Sequence, residues 1–199
     1  FSEAYGNASS VHDVGTKARI ALNDSRRFLA KAIGANEKEI YFTSGGTESN
    51  NLALKGAAFA QLRAKTGKKY IVTTKVEHSC VLSSCEWLEG QGFKVTYLDV
   101  DQDGFVRVED LEKALSDDTF LVSIIHGHNE IGTVQDLNAL GAVCKKTGVL
   151  FYTDACQSFT KVPIDVRKAG VDMMTLNSHK IHGPKGVGAL YVRKGVELV

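Results

Sequence analysis

Hydrophobic and polar residues follow two different periods along the chain. Apolar residues recur at helical spacing, which predicts helices over residues 14–33, 47–64, 79–90, 106–115 and 136–148. Short runs rich in β-branched and aromatic residues predict strands at 39–44, 69–74, 93–100, 119–125, 149–154, 171–176 and 188–193. A short helix is expected between the strands 149–154 and 171–176, and Thr47 is the expected N-cap of the second helix.

Strands that alternate with helices across short connections are typical of βαβ units. The sequence therefore predicts an α/β fold in three layers, with a mostly parallel sheet covered by helices on both faces. The connection between strands 171–176 and 188–193 is too short for a helical crossover, so one of these strands should run antiparallel. No repeat or linker interrupts the pattern, which indicates one domain or most of one.

Composition and charge narrow the classes of function. The chain has 199 residues, of which 43% are hydrophobic and 24% are charged, as in ordinary globular domains. A formal net charge of +1 provides no bulk field for nucleic acid or an anionic membrane. No apolar run approaches the ~20 residues that span a bilayer. The start FSEAYGNASS lacks both an initiator Met and signal-peptide character, and we interpret both ends as cuts through a longer protein.

The four cysteines lack C-x-x-C spacing and are interpreted as reduced, buried thiols, which suits a cytoplasmic location. They are Cys80, Cys85, Cys144 and Cys156.

Polar and titratable residues follow five of the predicted strands. These groups are Ser44–Glu48, Lys75–His78, His126–Glu130, Asp154 with Gln157, and Asn177–Lys180. Ligands of such sheets bind beyond the carboxyl ends of the strands, so we expect these residues to converge on one site.

The residue types in this set indicate a particular chemistry. SGGTES, residues 44–49, combines glycines with a helix start and outlines a phosphate cradle, or else an ordinary turn with a cap. Lys180 should be partly desolvated at its strand end and so able to form a Schiff base; the alternative is a lysine extending to solvent. Asp154 could pair with a pyridinium nitrogen or cap the next turn, Gln157 could face the same site, and His78 could stack on a flat ring. Together they favour pyridoxal 5'-phosphate (PLP).

The chain resembles the cysteine desulfurases, in the class V aminotransferase branch of fold-type I PLP enzymes. The motifs that carry the resemblance are GNASSVH (6–12), FTSGGTESNNLALKG (42–56), VEHSCVL (76–82), HNEIGTVQ (128–135), TDACQS (153–158) and SHKIHGPKGVGALYV (178–192). They occur in the family's order from about residue 5 to the end of the chain.

The resemblance implies a role for each site residue. Lys180 would hold PLP as a Schiff base, and His78 would stack on the ring and assist proton transfer. Asp154 would pair with the pyridine nitrogen, and Gln157 would hydrogen-bond the ring's phenolic oxygen. The remaining implied contacts are Gly46, Thr47 and His179 to the phosphate and Asn129 to cofactor and substrate.

Several positions depart from the family pattern. Asn177 stands where the family has a phosphate-binding serine, and either its amide or the neighbouring Ser178 could serve instead. Ala8 replaces a proline, His128 replaces a second asparagine, and Cys156 replaces a small or β-branched residue. We expect these changes to leave the fold and the cofactor intact.

The resemblance also implies partners and boundaries. L-cysteine would be the substrate, a sulfur-acceptor or iron–sulfur scaffold protein would take the sulfur, and the enzyme would be a homodimer. Residues 1–199 would form part of the PLP-binding large domain. The persulfide cysteine, the substrate-carboxylate arginine and the small C-terminal domain would lie outside them, so these residues alone are expected to give no turnover.

Three other interpretations remain open at this point. Selenocysteine lyase, or another class V enzyme, would use the same site residues. A non-catalytic scaffold of this fold is a second alternative. A nucleotide-binding α/β domain is a third, but neither G-x-x-x-x-G-K-[ST] nor G-x-G-x-x-G is present.

Overall fold

The computed structural model describes residues 5–199. Its helices are α1 (Asp13–Ile33), α2 (Gly46–Ala64), α3 (Ser79–Gly90), α4 (Val108–Ala114) and α5 (Leu137–Thr147). Its strands are β1 (Ile40–Thr43), β2 (Tyr70–Thr74), β3 (Lys94–Leu98), β4 (Thr119–Ser123), β5 (Leu150–Asp154), β6 (Met173–Asn177) and β7 (Gly188–Val192). Short 3-10 turns occupy Glu37–Glu39 and Ser178–Ile181.

The strands form one sheet in the order β1-β7-β6-β5-β4-β2-β3. Strands β6, β5, β4, β2 and β3 pair in parallel, whereas β7 runs antiparallel to both β6 and β1. The mostly parallel sheet and the antiparallel pairing of the last two strands are confirmed. The carboxyl ends of β1, β2, β4, β5 and β6 consequently lie at one edge.

Two apolar cores lie on opposite faces of the sheet. One holds the buried sides of α1, α4 and α5, including Ile33, Leu111 and Leu140. The other holds those of α2 and α3, including Leu54 and Leu88. Neighbouring β5 residues alternate between the cores because successive side chains of a strand point to opposite faces. The three-layer prediction is confirmed.

Two local predictions are wrong. Residues 155–172 contain turns but no helix between β5 and β6. Pro163 lacks a backbone donor and restricts the residue before it, which opposes a helix there. Helix α2 begins at Gly46 with Gly45 as its N-cap, so Thr47 lies inside the first turn.

None of the helices described within 5–199 is long and apolar enough to cross a membrane.

Gly141 allows α5 to approach the turn before β6. A Cβ at this position would lie 1.8 Å from the Ala169 carbonyl oxygen. We expect Gly141→Ala to lower the free energy of unfolding by about 3 kcal/mol or more, because backbone must move to relieve the overlap. Gly90→Ala is the matched control, since its Cβ would meet nothing within 4 Å at the end of α3. Urea unfolding should show no loss in the control; equal losses in both variants would contradict the packing argument.

Candidate active site

A cavity of about 230 Å³ lies at the carboxyl edge of the sheet. Its lining residues are Gly46, Thr47, Asn50, His78, Cys80, Ile125, Asn129, Asp154, Cys156, Gln157, Asn177, His179 and Lys180. Every residue nominated from the sequence for cofactor binding is among them except Ser178. Segments far apart in the chain therefore meet at one site.

Lys180 reaches the cavity from the 3-10 turn that follows β6. This turn ends at Ile181, and its C-cap His182 takes the left-handed backbone conformation with φ 62° before the chain continues to β7. Both His179 and Lys180 are exposed, as is His78 on the other side of the cavity. We expected Lys180 to be partly desolvated at its strand end, whereas the structure leaves this residue exposed.

Asp154 is the fixed anionic group of the cavity. It ends β5 and is 4% exposed. Its Oδ2 accepts a hydrogen bond from Asn50 Nδ2 at 2.7 Å, and its Oδ1 accepts one from the Cys156 backbone N–H at 2.9 Å. Each carboxylate oxygen can accept a further bond, so the group is held in place and can still receive a ligand N–H.

Asn50 is a site residue that the sequence reasoning missed. It is 1% exposed on α2, and its Oδ1 accepts a hydrogen bond from the Tyr152 hydroxyl. Its spacing to the buried Ala53, Leu54 and Ala57 places an amide on the apolar face of the helix. A buried amide requires hydrogen-bond partners, so an asparagine on the apolar face of a helix is the sequence signal that could have identified Asn50 as a site residue.

The start of α2 has the form of an anion cradle. The backbone N–H groups of a helix's first turn have no helical partners, and the helix dipole favours negative charge there. A Cβ at Gly46 would lie 2.7 Å from Cys156 Sγ and 3.1 Å from Asn177 Nδ2. Glycine is thus required where three segments approach, and the Asn177 amide lies beside the cradle.

The polar atoms of the cavity fit PLP. Within the described residues, the buried Gln157 Oε1 and Asn177 Oδ1 have no hydrogen-bond partner. Two side-chain amides with unsatisfied atoms at the cavity wall are suited to a polar ligand. The helix start suits a phosphate, Asp154 suits a pyridinium N–H, and Lys180 suits an aldehyde carbon.

Ser178 faces a different cavity. That cavity is largely apolar and includes Phe28, Phe42 and Ile181 in its lining. A Cβ at Gly183 would lie 2.1 Å from Ser178 Oγ, so this hydroxyl packs against the turn that returns to β7. Of the two alternatives for the family serine, only Asn177 lines the candidate site.

The cysteines divide into two pairs. Cys85 and Cys144 lie in the cores, where burial raises the pKa of each thiol to about 12. Cys80 and Cys156 are half-buried and line the cavity, and burial raises the pKa of both thiols above the ordinary value. All four are free, and neutral thiols of this kind are poor nucleophiles.

The other histidines have structural contacts. His12 caps α1 through the Gly15 N–H, and His128 accepts hydrogen bonds from the backbone of its own loop. His126 Nδ1 lies 2.8 Å from Ser158 Oγ, and burial lowers the pKa of this imidazole. Between residues 5 and 199, no group of three or more His, Cys, Asp or Glu residues could hold a metal ion.

Glu77 is a buried carboxyl beneath the site. Its Oε1 accepts hydrogen bonds from Thr74 Oγ1 at 3.0 Å and from the Ile125 N–H at 2.7 Å. Its Oε2 is buried with no partner among the described residues. Burial, reinforced by the negative charge of Asp154, raises the pKa of Glu77 to about 8.

This shift predicts a pH-dependent stability. Below the unfolded pKa near 4.5 both states are protonated; above it, the native state keeps a proton that the unfolded state has lost. Glu77 therefore lowers the free energy of unfolding by up to about 1.4 kcal/mol per pH unit as the pH rises towards about 8. We expect Glu77→Gln to remove this slope in urea unfolding between about pH 5 and pH 8. The exposed Glu86→Gln should retain it, and an unchanged slope in Glu77→Gln would refute the assignment.

Comparisons with known proteins agree with this geometry. A family model described as aminotransferase class-V matches residues 1–198. Cysteine desulfurase IscS of Dictyoglomus turgidum (strain DSM 6724 / Z-1310) is 50% identical over 196 residues, which are 98% of this chain and 49% of that protein. A mitosomal cysteine desulfurase of Trachipleistophora hominis is also 50% identical over 196 residues, covering 98% of this chain and 44% of that protein.

Solved structures give the same result. A structure titled "SspA in complex with cysteine" matches with a TM-score of 0.94 and 44% identity, over 100% of this chain and 57% of that one. A "NIFS-LIKE PROTEIN" matches with a TM-score of 0.93 and 42% identity, over 98% of this chain and 53% of that one.

The fold and the matches define the class: the chain shares its α/β architecture with these solved structures, and its curated relatives are named cysteine desulfurases. The chain belongs to the class V aminotransferase family, as its motifs indicated. It spans about half the length of the curated relatives it matches.

Proposed function

We propose that the protein containing this chain is a PLP-dependent cysteine desulfurase. The observation that carries the proposal is the convergence of Lys180, Asp154 and the start of α2 on one cavity. The relatives named cysteine desulfurase, and the similar structure with bound cysteine, support L-cysteine as the substrate. Residues 1–199 would then form part of the cofactor-binding large domain.

The cofactor would be held by residues of this chain. The first turn of α2, with Gly46 and Thr47, would receive the phosphate together with Asn177 and His179. Asp154 would receive the ring N–H, and the Gln157 amide would bond the ring oxygen. PLP, when bound, supplies an electron sink for bonds broken at the substrate's α-carbon.

The remaining residues would move protons and orient the substrate. Lys180 Nζ would hold the cofactor through its aldehyde carbon and, as a free amine, could take the α-proton of the substrate. The His78 imidazole would lie over the ring, and the Asn129 amide would contact the substrate. Asp154, held by Asn50 and Cys156 N–H, would keep the ring nitrogen protonated.

The net reaction balances without an added oxidant. L-cysteine and an enzyme thiol would give L-alanine and an enzyme persulfide, with the sulfur passing from carbon to the thiol. None of the four cysteines of this chain is assigned as that thiol. A sulfur-acceptor or iron–sulfur scaffold protein would receive the sulfur, and a homodimer in the cytoplasm is proposed by analogy with the family. The four free cysteines support a reducing compartment.

The decisive assay uses the full-length protein, meaning the natural protein that contains these 199 residues. With PLP, L-cysteine and a thiol reductant, we expect equal amounts of alanine and sulfide. Selenocysteine is the comparison substrate, and a strong preference for it would assign selenocysteine lyase instead. A bound cofactor with no product from either substrate would sink the desulfurase proposal, and failure to bind PLP at all would favour a non-catalytic scaffold.

A further inference from the structure

A hydrogen-bond chain runs from the interior of the domain to His78. Thr175 Oγ1 lies 3.0 Å from the Tyr152 hydroxyl, which donates to Asn50 Oδ1. Asn50 Nδ2 donates to Asp154 Oδ2 at 2.7 Å and to Cys80 Sγ at 2.9 Å. Cys80 Sγ lies 3.0 Å from His78 Nδ1. The chain therefore connects the carboxylate of the site to its imidazole.

Chemistry fixes the direction of each bond in the chain. The Asp154 carboxylate only accepts, so the Asn50 NH₂ group must face it. Both amide protons are then used, one on Asp154 and one on Cys80 Sγ. Because the sulfur already accepts from Asn50, its own proton is free to point at His78 Nδ1.

A second hydrogen bond to His78 Nδ1 agrees with donation from the Cys80 thiol to this nitrogen. The Cys80 backbone N–H also donates to His78 Nδ1, at 3.2 Å, as His78 caps α3. A backbone N–H can only donate, so Nδ1 carries a lone pair and no proton. Neutral His78 must then have its proton on Nε2, and no hydrogen bond among residues 5–199 engages that nitrogen.

We propose that Cys80, held by Asn50, is a positioning residue that donates its S–H to His78 Nδ1 and keeps the ring proton on Nε2. His78 would then present an N–H donor to the cavity. The role of that donor towards a cofactor or substrate rests on the proposed function, but the proton position belongs to the protein alone.

The contacts of Cys80 agree with this assignment. Cys80 is half-buried. Its sulfur accepts a hydrogen bond from Asn50 and can donate one to His78, so the thiol has a partner both as acceptor and as donor. Burial raises the pKa of the thiol, with the charge of Asp154 adding to the effect, and a protonated sulfur is the form that can donate. A Cys80 thiolate would place a negative charge against His78 Nδ1 and would favour a proton on that nitrogen. The Cys80 backbone N–H donates to the same nitrogen and requires a lone pair there instead.

The test measures ring nitrogens by NMR in the full-length protein labelled with ¹⁵N-histidine, first without PLP. We expect a pyridine-type signal for His78 Nδ1 and a pyrrole-type signal for Nε2 in the parent. In Cys80→Ala the Nδ1 signal should move downfield because this nitrogen loses one hydrogen-bond donor. The nitrogen itself should stay unprotonated because the Cys80 backbone N–H still donates to it. Cys80→Ser should restore the upfield position, since a hydroxyl can donate in place of the thiol.

Cys85→Ala controls for loss of a thiol from the same helix, because Cys85 lies in the core and does not line the cavity. A protonated Nδ1 in the parent would overturn the proposal. So would an Nδ1 shift in Cys80→Ala no larger than in Cys85→Ala. Adding PLP and L-cysteine afterwards tests the proposed function separately, since the ring signals without PLP do not depend on turnover.

Discussion

Replacing Lys180 with alanine should abolish the long-wavelength absorbance of lysine-bound PLP and reduce turnover by at least about 10³-fold. The amine would be lost both as the attachment point of the cofactor and as the group available to take the α-proton. The measurement is a visible absorbance titration with PLP on the full-length protein, followed by alanine release from L-cysteine.

Lys185→Ala is the matched control for this experiment. Lys185 is an exposed lysine of the same connection between β6 and β7, but it does not line the cavity. It should keep both the band and the turnover. An intact band in Lys180→Ala would show that another amine holds the cofactor and would remove the central residue of the proposal.

Asp154→Asn should have the second largest effect. The variant keeps the shape of the side chain but lacks the charge that would stabilise a ring N–H. Removing one partner of a buried ion pair costs about 3–5 kcal/mol, and about 1.4 kcal/mol is tenfold in rate. We therefore expect kcat/KM to fall by about 10²-fold to roughly 4 × 10³-fold, with weaker PLP binding in the absorbance titration.

Asp172→Asn provides a control with nearly the same local geometry. Asp172 is also buried, accepts from a backbone N–H (Phe151, 2.8 Å) and pairs with a side chain, Arg193. Asp172 lies immediately before β6, at the opposite end of the sheet from the cavity. Both variants should lose stability because an amide has only one acceptor oxygen, but only Asp154→Asn should lose PLP affinity. Equal affinity losses would mean that the effect is global destabilisation.

Most of the fold could be predicted from local patterns. The two periodicities located the five helices and seven strands that the structure describes within residues 5–199, with boundaries that differ by at most two residues. The failures were local as well. Pro163 and the turns around it replace the helix expected before β6, and α2 starts at Gly46 because the glycine backbone, not the Thr47 side chain, forms its N-terminus.

The site residues could be gathered from the sequence because parallel strands share one carboxyl edge. Any polar residue that follows such a strand is brought near the others by topology alone. The rule predicts that Lys180, Asp154 and His78 lie close together, and in the structure all three line one cavity. The resemblance to cysteine desulfurases then supplied a role for each of them.

The sequence by itself determined the order of elements, the family and the set of chemical groups, because these depend on short-range periodicity and on motifs. Only the tertiary structure decided which atoms meet. It joined Asn50 to Asp154 across 104 residues, turned Asn177 rather than Ser178 to the cavity, and left Lys180 exposed. Side-chain direction and burial depend on how separate segments pack, and no local pattern contains that information.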